Sequence, residues 1–264
     1  MVHGVPTVNV KADISYLNPS KQLEGKRIIV TGGGRGLGLG MAKKFVEEGA
    51  KVLISGRKEA TLKAAAEEIG CEYLTLDVQN VAEFDGFLEK ASEKLGGLDI
   101  LVNNAGISLH EGDFFNVSLE QFDGQFNTNL RGGYFLAQKF AKRLIENKQK
   151  GEILFVTSER GSYVDMLPYG LTKAALNSLV QGLAVRLVNE GIRVNGIAPG
   201  VTASEMTGFS EDGNLRCDYN ITGRVYLPGE VAQVASFLLS DASKCLNGQI
   251  LVCNEGKSIK AHWR

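Results

Sequence analysis

The sequence predicts an α/β fold, a doubly wound parallel sheet of seven strands with helices on both faces. Short runs of β-branched and apolar residues alternate with longer segments of helical period, as in stacked βαβ units. Most of these runs are apolar on both faces, which strands buried between two helical layers require. The predicted strands are residues 27–31, 51–55, 73–76, 100–102, 153–157, 193–197 and 249–252.

Two segments between these strands have the spacing of amphipathic crossover helices, with apolar residues recurring at i, i+3 and i+4. The second segment begins near Pro168, and proline is favoured in a first helical turn. The positions are Leu39, Ala42, Phe45 and Val46 in the first segment and Leu176, Leu179, Val180 and Leu183 in the second.

The chain has 264 residues, and no repeat, low-complexity stretch or linker divides it. We therefore predict one domain at 25–264, preceded by an N-terminal extension at 1–24. Residues 204–227 lack a sustained period and carry several charged side chains. A long polar insertion of this kind is typical of a lid over a site, so we predict a substrate lid there.

Composition and charge exclude several classes of protein. Lys+Arg 29 against Asp+Glu 30 gives a net charge of -1, so we expect no nucleic-acid partner. The 4 cysteines form no CxxC pair and no Cys/His cluster, which predicts no metal site and a reducing compartment. No signal peptide and no apolar run near 18 residues is visible, so we expect a cytoplasmic protein without a membrane partner.

A glycine-rich turn follows the first predicted strand and leads into the first predicted helix. The turn contains Gly32, Gly34, Gly36, Leu37 and Gly38. A strand, a tight glycine turn and a helix N-terminus present unpaired N–H groups to a pyrophosphate, and the missing Cβ atoms let the backbone approach it. The turn therefore predicts a dinucleotide site.

The residues around this turn favour NADP over NAD. An NAD site places an acid about 20 residues further on to bind the ribose 2′-hydroxyl, and the end of the second predicted strand carries none. Arg35 and Arg57 instead offer two guanidinium groups to a 2′-phosphate. The alternative is that Arg57 and Lys58 are the solvated start of a helix.

Further motifs follow the later strands in order. They are Asp77-Val78, Asn103-Asn104-Ala105-Gly106, Tyr169-xxx-Lys173 and Pro199-Gly200. Together with the glycine turn they resemble the short-chain dehydrogenase/reductase family from about Lys26 to Gly256, which implies a Rossmann-like single domain. The expected cofactor-binding residues, from the turn and the resemblance together, are Gly32, Gly34, Arg35, Gly36, Leu37, Gly38, Arg57, Asp77, Val78, Asn104, Ala105, Gly106, Tyr169, Lys173, Pro199, Gly200, Val201, Thr202 and Ser204.

Tyr169 and Lys173 are four residues apart on a predicted helix, so both side chains lie on one face. A phenol with its usual pKa of about 10 is a weak base at neutral pH. We expect the Lys173 ammonium and an oxidised nicotinamide to lower the pKa of Tyr169, which would then act as acid and base on a substrate oxygen. The resemblance implies that Lys173 also holds the ribose hydroxyls.

Two further residues complete the expected catalytic set. Ser158, at the end of the fifth predicted strand, would donate a hydrogen bond to the substrate oxygen, with Ser162 as the alternative. Asn129 resembles the family's asparagine that holds a water in a proton relay behind the lysine. The set is therefore Asn129, Ser158, Tyr169 and Lys173.

The sequence predicts an oxidoreductase that transfers a hydride between NADP(H) and a small-molecule carbonyl or secondary alcohol. We expect a 3-oxoacyl-type or general carbonyl reductase, with a sugar-acid or polyol dehydrogenase as the alternative. A non-catalytic NADP-sensing scaffold on the same fold is the hypothesis from another class. The charged residues His110, Glu111, Arg160, Arg216 and Arg224 are candidates to meet a polar or anionic substrate.

The resemblance also implies a homotetramer, or a dimer, built on long helices at about 118–147 and 168–190. Candidates for their outer faces are Phe122, Phe126, Leu136 and Phe140, of which some must belong to the core.

Overall fold

The computed structural model describes residues 9–12 and 20–259 of the chain. The strands are β1 (Arg27–Thr31), β2 (Lys51–Gly56), β3 (Glu72–Thr75), β4 (Ile100–Asn103), β5 (Gly151–Val156), β6 (Ile192–Pro199) and β7 (Ile250–Cys253). The helices are α1 (Gly36–Glu47), α2 (Glu59–Ile69), α3 (Phe84–Leu95), α4 (Leu119–Gln125), α5 (Gly133–Glu146), α6 (Pro168–Leu187) and α7 (Pro228–Leu239). All strands pair in parallel, in the order β3-β2-β1-β4-β5-β6-β7.

Alternate residues of the central strands enter two separate cores, one on each face of the sheet. In β1, Ile28 and Val30 share a buried cluster with Met41 of α1. Ile29 points the other way and shares a second cluster with Phe140 of α5. Because both faces are covered, each strand gains from apolar residues at every position. The predicted seven-stranded doubly wound sheet is confirmed.

The chain reverses its direction of winding between β1 and β4, which are neighbours in the sheet although β2 and β3 lie between them in sequence. In open α/β sheets a ligand binds in the crevice outside the carboxyl ends of the strands at such a switch point. The loops after β1 and β4 therefore form the expected floor of a site.

A π-helical segment, Phe126–Gly132, joins α4 to α5 in one continuous helical stretch. Ser118 begins this stretch with a capping box shared with Gln121. Leu136 and Phe140 are fully buried under the sheet, so these two of the four candidates belong to the core and not to an outer face. Helical period alone leaves the direction of the apolar stripe open, and the π segment shifts it.

The start of the described chain differs from the predicted domain boundary. Leu23 is fully buried in the same core as Met41, and its backbone N–H donates to Glu48 O. The domain therefore begins before the predicted residue 25. Residues 1–8 and 13–19 of the predicted extension lie outside the described residues.

Residues 9–12 lie against the 204–227 segment. Val10 N–H donates to Asn214 Oδ1 at 3.0 Å, and Val10 O accepts from Leu215 N–H at 3.0 Å. Ala12 packs against a small apolar cluster that includes Leu215 and Val225. None of the helices in the described residues is both long and apolar enough to cross a membrane.

A substitution at Gly132 tests how the π segment packs against the loop after β3. A Cβ at Gly132 would overlap the carbonyl oxygen of Val78, whereas a Cβ at Gly124 of α4 would meet nothing within 4 Å. We expect Gly132→Ala to lower the free energy of unfolding by about 1–3 kcal/mol through overpacking. The measurement is urea denaturation of the two alanine variants. Equal stability of Gly132→Ala and the matched control Gly124→Ala would contradict this packing.

Candidate active site

Thr31 joins the carboxyl ends of β1 and β4. Its hydroxyl accepts from the backbone N–H groups of Asn104 and Ala105, each at 3.0 Å. The Asn104 side chain donates back to Thr31 O at 2.8 Å and to Gly32 O at 3.2 Å. These bonds fix the glycine turn against the loop that follows β4.

The glycine turn forms a cradle that side chains would fill. A Cβ at Gly33 would lie 2.7 Å from Ile54 Cγ2, and a Cβ at Gly38 would overlap Gly32 O. Gly32 and Gly36 have φ of 65° and 52°, the left-handed region that favours glycine. Arg35, the residue before α1, makes no capping hydrogen bond with its side chain. The turn therefore fits a pyrophosphate held by the first N–H groups of α1.

The two arginines expected to bind the 2′-phosphate of the cofactor differ in their surroundings. Arg35 forms an ion pair with Glu205 of the 204–227 segment, and both side chains are largely exposed. Arg57 is exposed and pairs with no acid among the described residues. Arg35 is thus free for another anion only when Glu205 releases it.

The other expected cofactor-binding residues follow from neighbouring loops. Asp77 Oδ1 accepts from Gln79 N–H at 3.0 Å in the turn after β3. After β6, Gly200 N–H donates to Cys253 O at 2.9 Å, and Thr202 Oγ1 donates to Gly200 O at 3.0 Å. A Cβ at Gly36 would lie 3.2 Å from Ser204 Cβ. The start of the 204–227 segment therefore lies beside the glycine turn.

Asn129 lies within the π segment and is buried. Its side chain donates to Ile107 O at 2.9 Å and accepts from Ile107 N–H at 2.8 Å. It also donates to Thr172 Oγ1 of α6 at 3.2 Å. Asn129 therefore fixes the loop after β4 to α6 from below.

Ser158, Tyr169 and Lys173 come together at the carboxyl end of β5. Lys173 is buried, and its Nζ donates to Val156 O at 2.8 Å and lies 5.5 Å from the centre of the Tyr169 ring. Ser158 is buried and lies close enough to the half-buried Tyr169 to influence the pKa of its phenol. Ser162, the alternative, is exposed. The structure thus favours Ser158 over Ser162 as the neighbour of Tyr169.

Burial dominates the protonation of this group of residues. It raises the pKa of Tyr169, while the hydrogen bond with Ser158 acts in the opposite direction. It lowers the pKa of Lys173 to about 8. The expected lowering of the Tyr169 pKa is therefore not present in the protein alone, because desolvation of the phenolate outweighs the favourable contacts.

Sequence reasoning missed Glu159, which follows Ser158 and is buried. Its Oε2 accepts from Tyr163 Oη at 3.1 Å and from Asn254 Nδ2 at 3.0 Å, and its Oε1 accepts from Lys257 Nζ at 2.9 Å. These bonds join the turn after β5 to the turn after β7. No local pattern around Glu159 or Asn254 indicates this network in the sequence.

An open pocket of about 260 Å³ adjoins Tyr169. It is lined by Ser108, His110, Glu111, Arg160, Leu167 and Tyr169. Of the five charged candidates, the structure brings His110, Glu111 and Arg160 to this pocket. Arg216 pairs with Asp218 and Arg224 pairs with Glu230, away from these lining residues. Within residues 9–12 and 20–259, no three His, Cys, Asp or Glu side chains are grouped as metal ligands.

A doubly wound sheet with a glycine cradle at its switch point defines a dinucleotide-binding α/β protein. Residues 32–258 match the family model described as enoyl-(acyl carrier protein) reductase. The chain belongs to the short-chain dehydrogenase/reductase family and is an oxidoreductase of that family, so the resemblance in the motifs is confirmed.

Individual relatives differ in what their names say they act on. The chain is 32% identical over 248 residues to an L-rhamnose 1-dehydrogenase (NADP(+)) of Thermoplasma acidophilum, covering 89% of this chain and 97% of the relative. It is 32% identical over 248 residues to a gluconate 5-dehydrogenase of Gluconobacter oxydans, covering 90% of this chain and 96% of the relative. A 3-ketoacyl-(acyl-carrier-protein) reductase from Brucella melitensis, solved in complex with NADH, superposes with a TM-score of 0.83 at 34% identity, covering 90% and 100%.

We expect Glu159→Gln to lower the free energy of unfolding by about 1–3 kcal/mol, because it removes the charge opposite the half-buried Lys257 and weakens three hydrogen bonds. Glu146→Gln, which breaks an exposed pair with Lys142, is the matched control, with an expected change below about 0.5 kcal/mol. Urea denaturation measures both. A Glu159→Gln protein as stable as the control would show that this network does not stabilise the fold.

Proposed function

We propose that the protein interconverts an alcohol and a carbonyl compound with NADP(H) as the hydride carrier and Tyr169 as the acid and base. The observation that carries this proposal is the grouping of Tyr169, Ser158 and Lys173 beside the glycine cradle. When bound, the nicotinamide would supply the hydride acceptor or donor. A scaffold that only senses the nucleotide has no use for a buried lysine beneath a tyrosine next to an open pocket.

In the proposed mechanism Ser158 donates its hydroxyl hydrogen to the substrate oxygen and so stabilises the charge that develops on it. Tyr169 takes the proton of the alcohol in oxidation and returns it to the oxygen in reduction. Because burial raises the pKa of Tyr169 in the protein alone, Tyr169 holds its proton until positive charge is added nearby. Lys173, 5.5 Å from the ring centre, is placed to contribute that charge in its ammonium form.

A small cavity of about 10 Å³ lies behind this group, lined in part by Asn129, Thr128 and Val156. This is about the smallest volume that holds one water molecule, and Thr31, Asn103, Thr128 and Asn129 in the otherwise apolar lining offer hydrogen-bond partners. The proposed proton relay behind Lys173 is supported by this cavity and by the buried Asn129. Asn129 contributes in addition by fixing the loop at Ile107.

The preference for NADP is supported by Arg35 and Arg57 and by the absence of an acid at the carboxyl end of β2, where residues 54–58 read Ile-Ser-Gly-Arg-Lys. The relative from Thermoplasma is named for NADP(+), and the structure from Brucella holds NADH. The preference is therefore proposed from this chain's own residues. The predicted lid at 204–227, the cytoplasmic location and the homotetramer stay predictions.

Tyr169→Phe tests the acid and base directly. Loss of the hydroxyl removes the proton-transfer group and leaves the ring, so we expect the turnover number to fall by about 10²–10⁴-fold. The affinity for NADPH, measured by calorimetry, is expected to stay nearly unchanged. Tyr134→Phe, on the exposed face of α5, is the matched control with normal turnover. Equal NADPH oxidation by Tyr169→Phe and wild type would remove Tyr169 from the mechanism and leave the sensing scaffold as the better description.

Arg57→Ala tests the cofactor preference. If Arg57 contacts the 2′-phosphate, the variant binds NADPH about 1–3 kcal/mol less tightly and binds NADH as before. Calorimetric dissociation constants for the two cofactors give this comparison. Arg186→Ala controls for the loss of a surface charge. It removes an exposed arginine of α6 that pairs with Glu190. Parallel weakening of NADPH and NADH by Arg57→Ala would contradict the assignment.

A further inference from the structure

The pocket beside Tyr169 is polar, which is informative about the substrate. Five of its six lining residues are polar or charged, and Leu167 is the exception. At about 260 Å³ it falls below the roughly 300–1,000 Å³ of pockets that hold drug-sized ligands. A long acyl chain seated here would remove water from Glu111 and Arg160 without replacing their hydrogen bonds, which is unfavourable. The substrate is therefore small and hydrogen-bonded.

Glu111 is held in place as an acceptor. Its Oε1 accepts from Nε2 of Gln125, a side chain that is fully buried in α4 and that also donates to Gln121 O at 3.3 Å. The other oxygen, Oε2, has no hydrogen-bond partner among the described residues. A fixed carboxylate oxygen open to a pocket is suited to accept from a substrate hydroxyl.

Arg160 looks like an anion site by residue type, but its charge is already compensated. Nε donates to Asp165 Oδ2 at 2.5 Å, and Nη2 forms an ion pair with the same oxygen at 2.5 Å. The Asp165 side chain is buried and its Oδ1 accepts from Leu167 N–H at 3.0 Å, so the carboxylate is fixed at the start of α6. Nη1 of Arg160 has no acceptor in the described part of the chain. It offers a directed donor rather than a net positive charge.

The charges that line or contact the pocket therefore add up to a negative value. Arg160 and Asp165 cancel, His110 is counted as neutral at pH 7, and Glu111 remains. A carboxylate or phosphate placed there would meet like charge at short range, which is repulsive. A neutral polyhydroxylated molecule meets no such repulsion, since each hydroxyl group both donates and accepts.

From this geometry we infer that the substrate is a neutral polyhydroxylated compound, a sugar or polyol, rather than a sugar acid or an acyl thioester, and that Glu111 selects it. This inference rests on the proposed function of the same site. When bound, NADP⁺ would accept the hydride of the oxidised carbon, and Tyr169 takes the hydroxyl proton, so a hemiacetal would yield a lactone and a secondary alcohol a ketone. Nη1 of Arg160 donates a hydrogen bond to a second hydroxyl or ether oxygen of the substrate.

The first experiment uses the wild-type protein. Initial rates at 340 nm are measured with NADP⁺ for neutral hexoses, 6-deoxyhexoses and hexitols, and for aldonates of the same carbon number. With NADPH, reduction of ketohexoses is compared with reduction of 3-oxoacyl thioesters. We expect the best neutral compound to exceed its matched aldonate in kcat/KM by at least about tenfold, because the site's polar groups are satisfied only by the neutral compound.

The second experiment assigns the selection to Glu111. Glu111→Gln is expected to lower kcat/KM for the best neutral substrate by at least about tenfold, mainly by raising KM. The ratio of kcat/KM for the neutral substrate to kcat/KM for its matched aldonate is expected to decrease. Glu120→Gln, the same substitution on an exposed residue of α4, is expected to leave both quantities unchanged. Glu111→Gln with an unchanged ratio would overturn the role given to Glu111.

The outcomes separate this inference from the proposed function. If the wild type prefers aldonates or 3-oxoacyl thioesters and Tyr169→Phe abolishes that turnover, the neutral substrate class is wrong and the proposed reaction still holds. An absence of Tyr169-dependent turnover with every compound overturns both. The wild-type comparison decides the substrate class even if Glu111→Gln fails to fold.

Discussion

The hydrogen bonds between Thr31 and the loop after β4 are the constraint on which the rest of the site depends. β1 and β4 are adjacent only because the winding of the sheet reverses between them. The Thr31 hydroxyl and the Asn104 amide then join the glycine turn to the segment that passes Gly106. A Cβ at Gly106 would lie 3.6 Å from Lys173 Nζ. The cradle and the buried lysine are therefore held close together by hydrogen bonds between two short side chains and the backbone of the two loops.

Much of this arrangement was predictable from sequence, for physical reasons that are local. Strands buried on both faces leave continuous apolar runs, and the glycine turn needs backbone angles and close approach that glycine supplies. Tyr169 and Lys173 meet because a helix places i and i+4 on one face. The fold, the strand count and the grouping of these residues follow from such short-range rules.

What could not be predicted depends on contacts between distant parts of the chain. Glu159 and Asn254 are 95 positions apart, and neither has a local pattern that indicates the buried network that they form. Leu136 and Phe140 have the spacing of an apolar stripe, but the π segment before them sets which way it faces. Leu23 belongs to the core although nothing in its neighbourhood predicts a strand or helix. Arg160 has the residue type of an anion site, but in the fold its charge is compensated by Asp165.

In the proposed mechanism, the paired charges around Tyr169 would make its protonation depend on the bound cofactor. Arg160 and Glu159 act on the pKa of Tyr169 in opposite directions, and each already has its own partner, Asp165 and Lys257. Their effects are therefore small beside desolvation, which keeps the phenol protonated in the protein alone. A positive nicotinamide brought in by the cradle would add the charge that these pairs withhold. In the proposed mechanism, proton transfer at Tyr169 would then be available chiefly when the hydride acceptor is also bound, which would couple the two halves of the reaction.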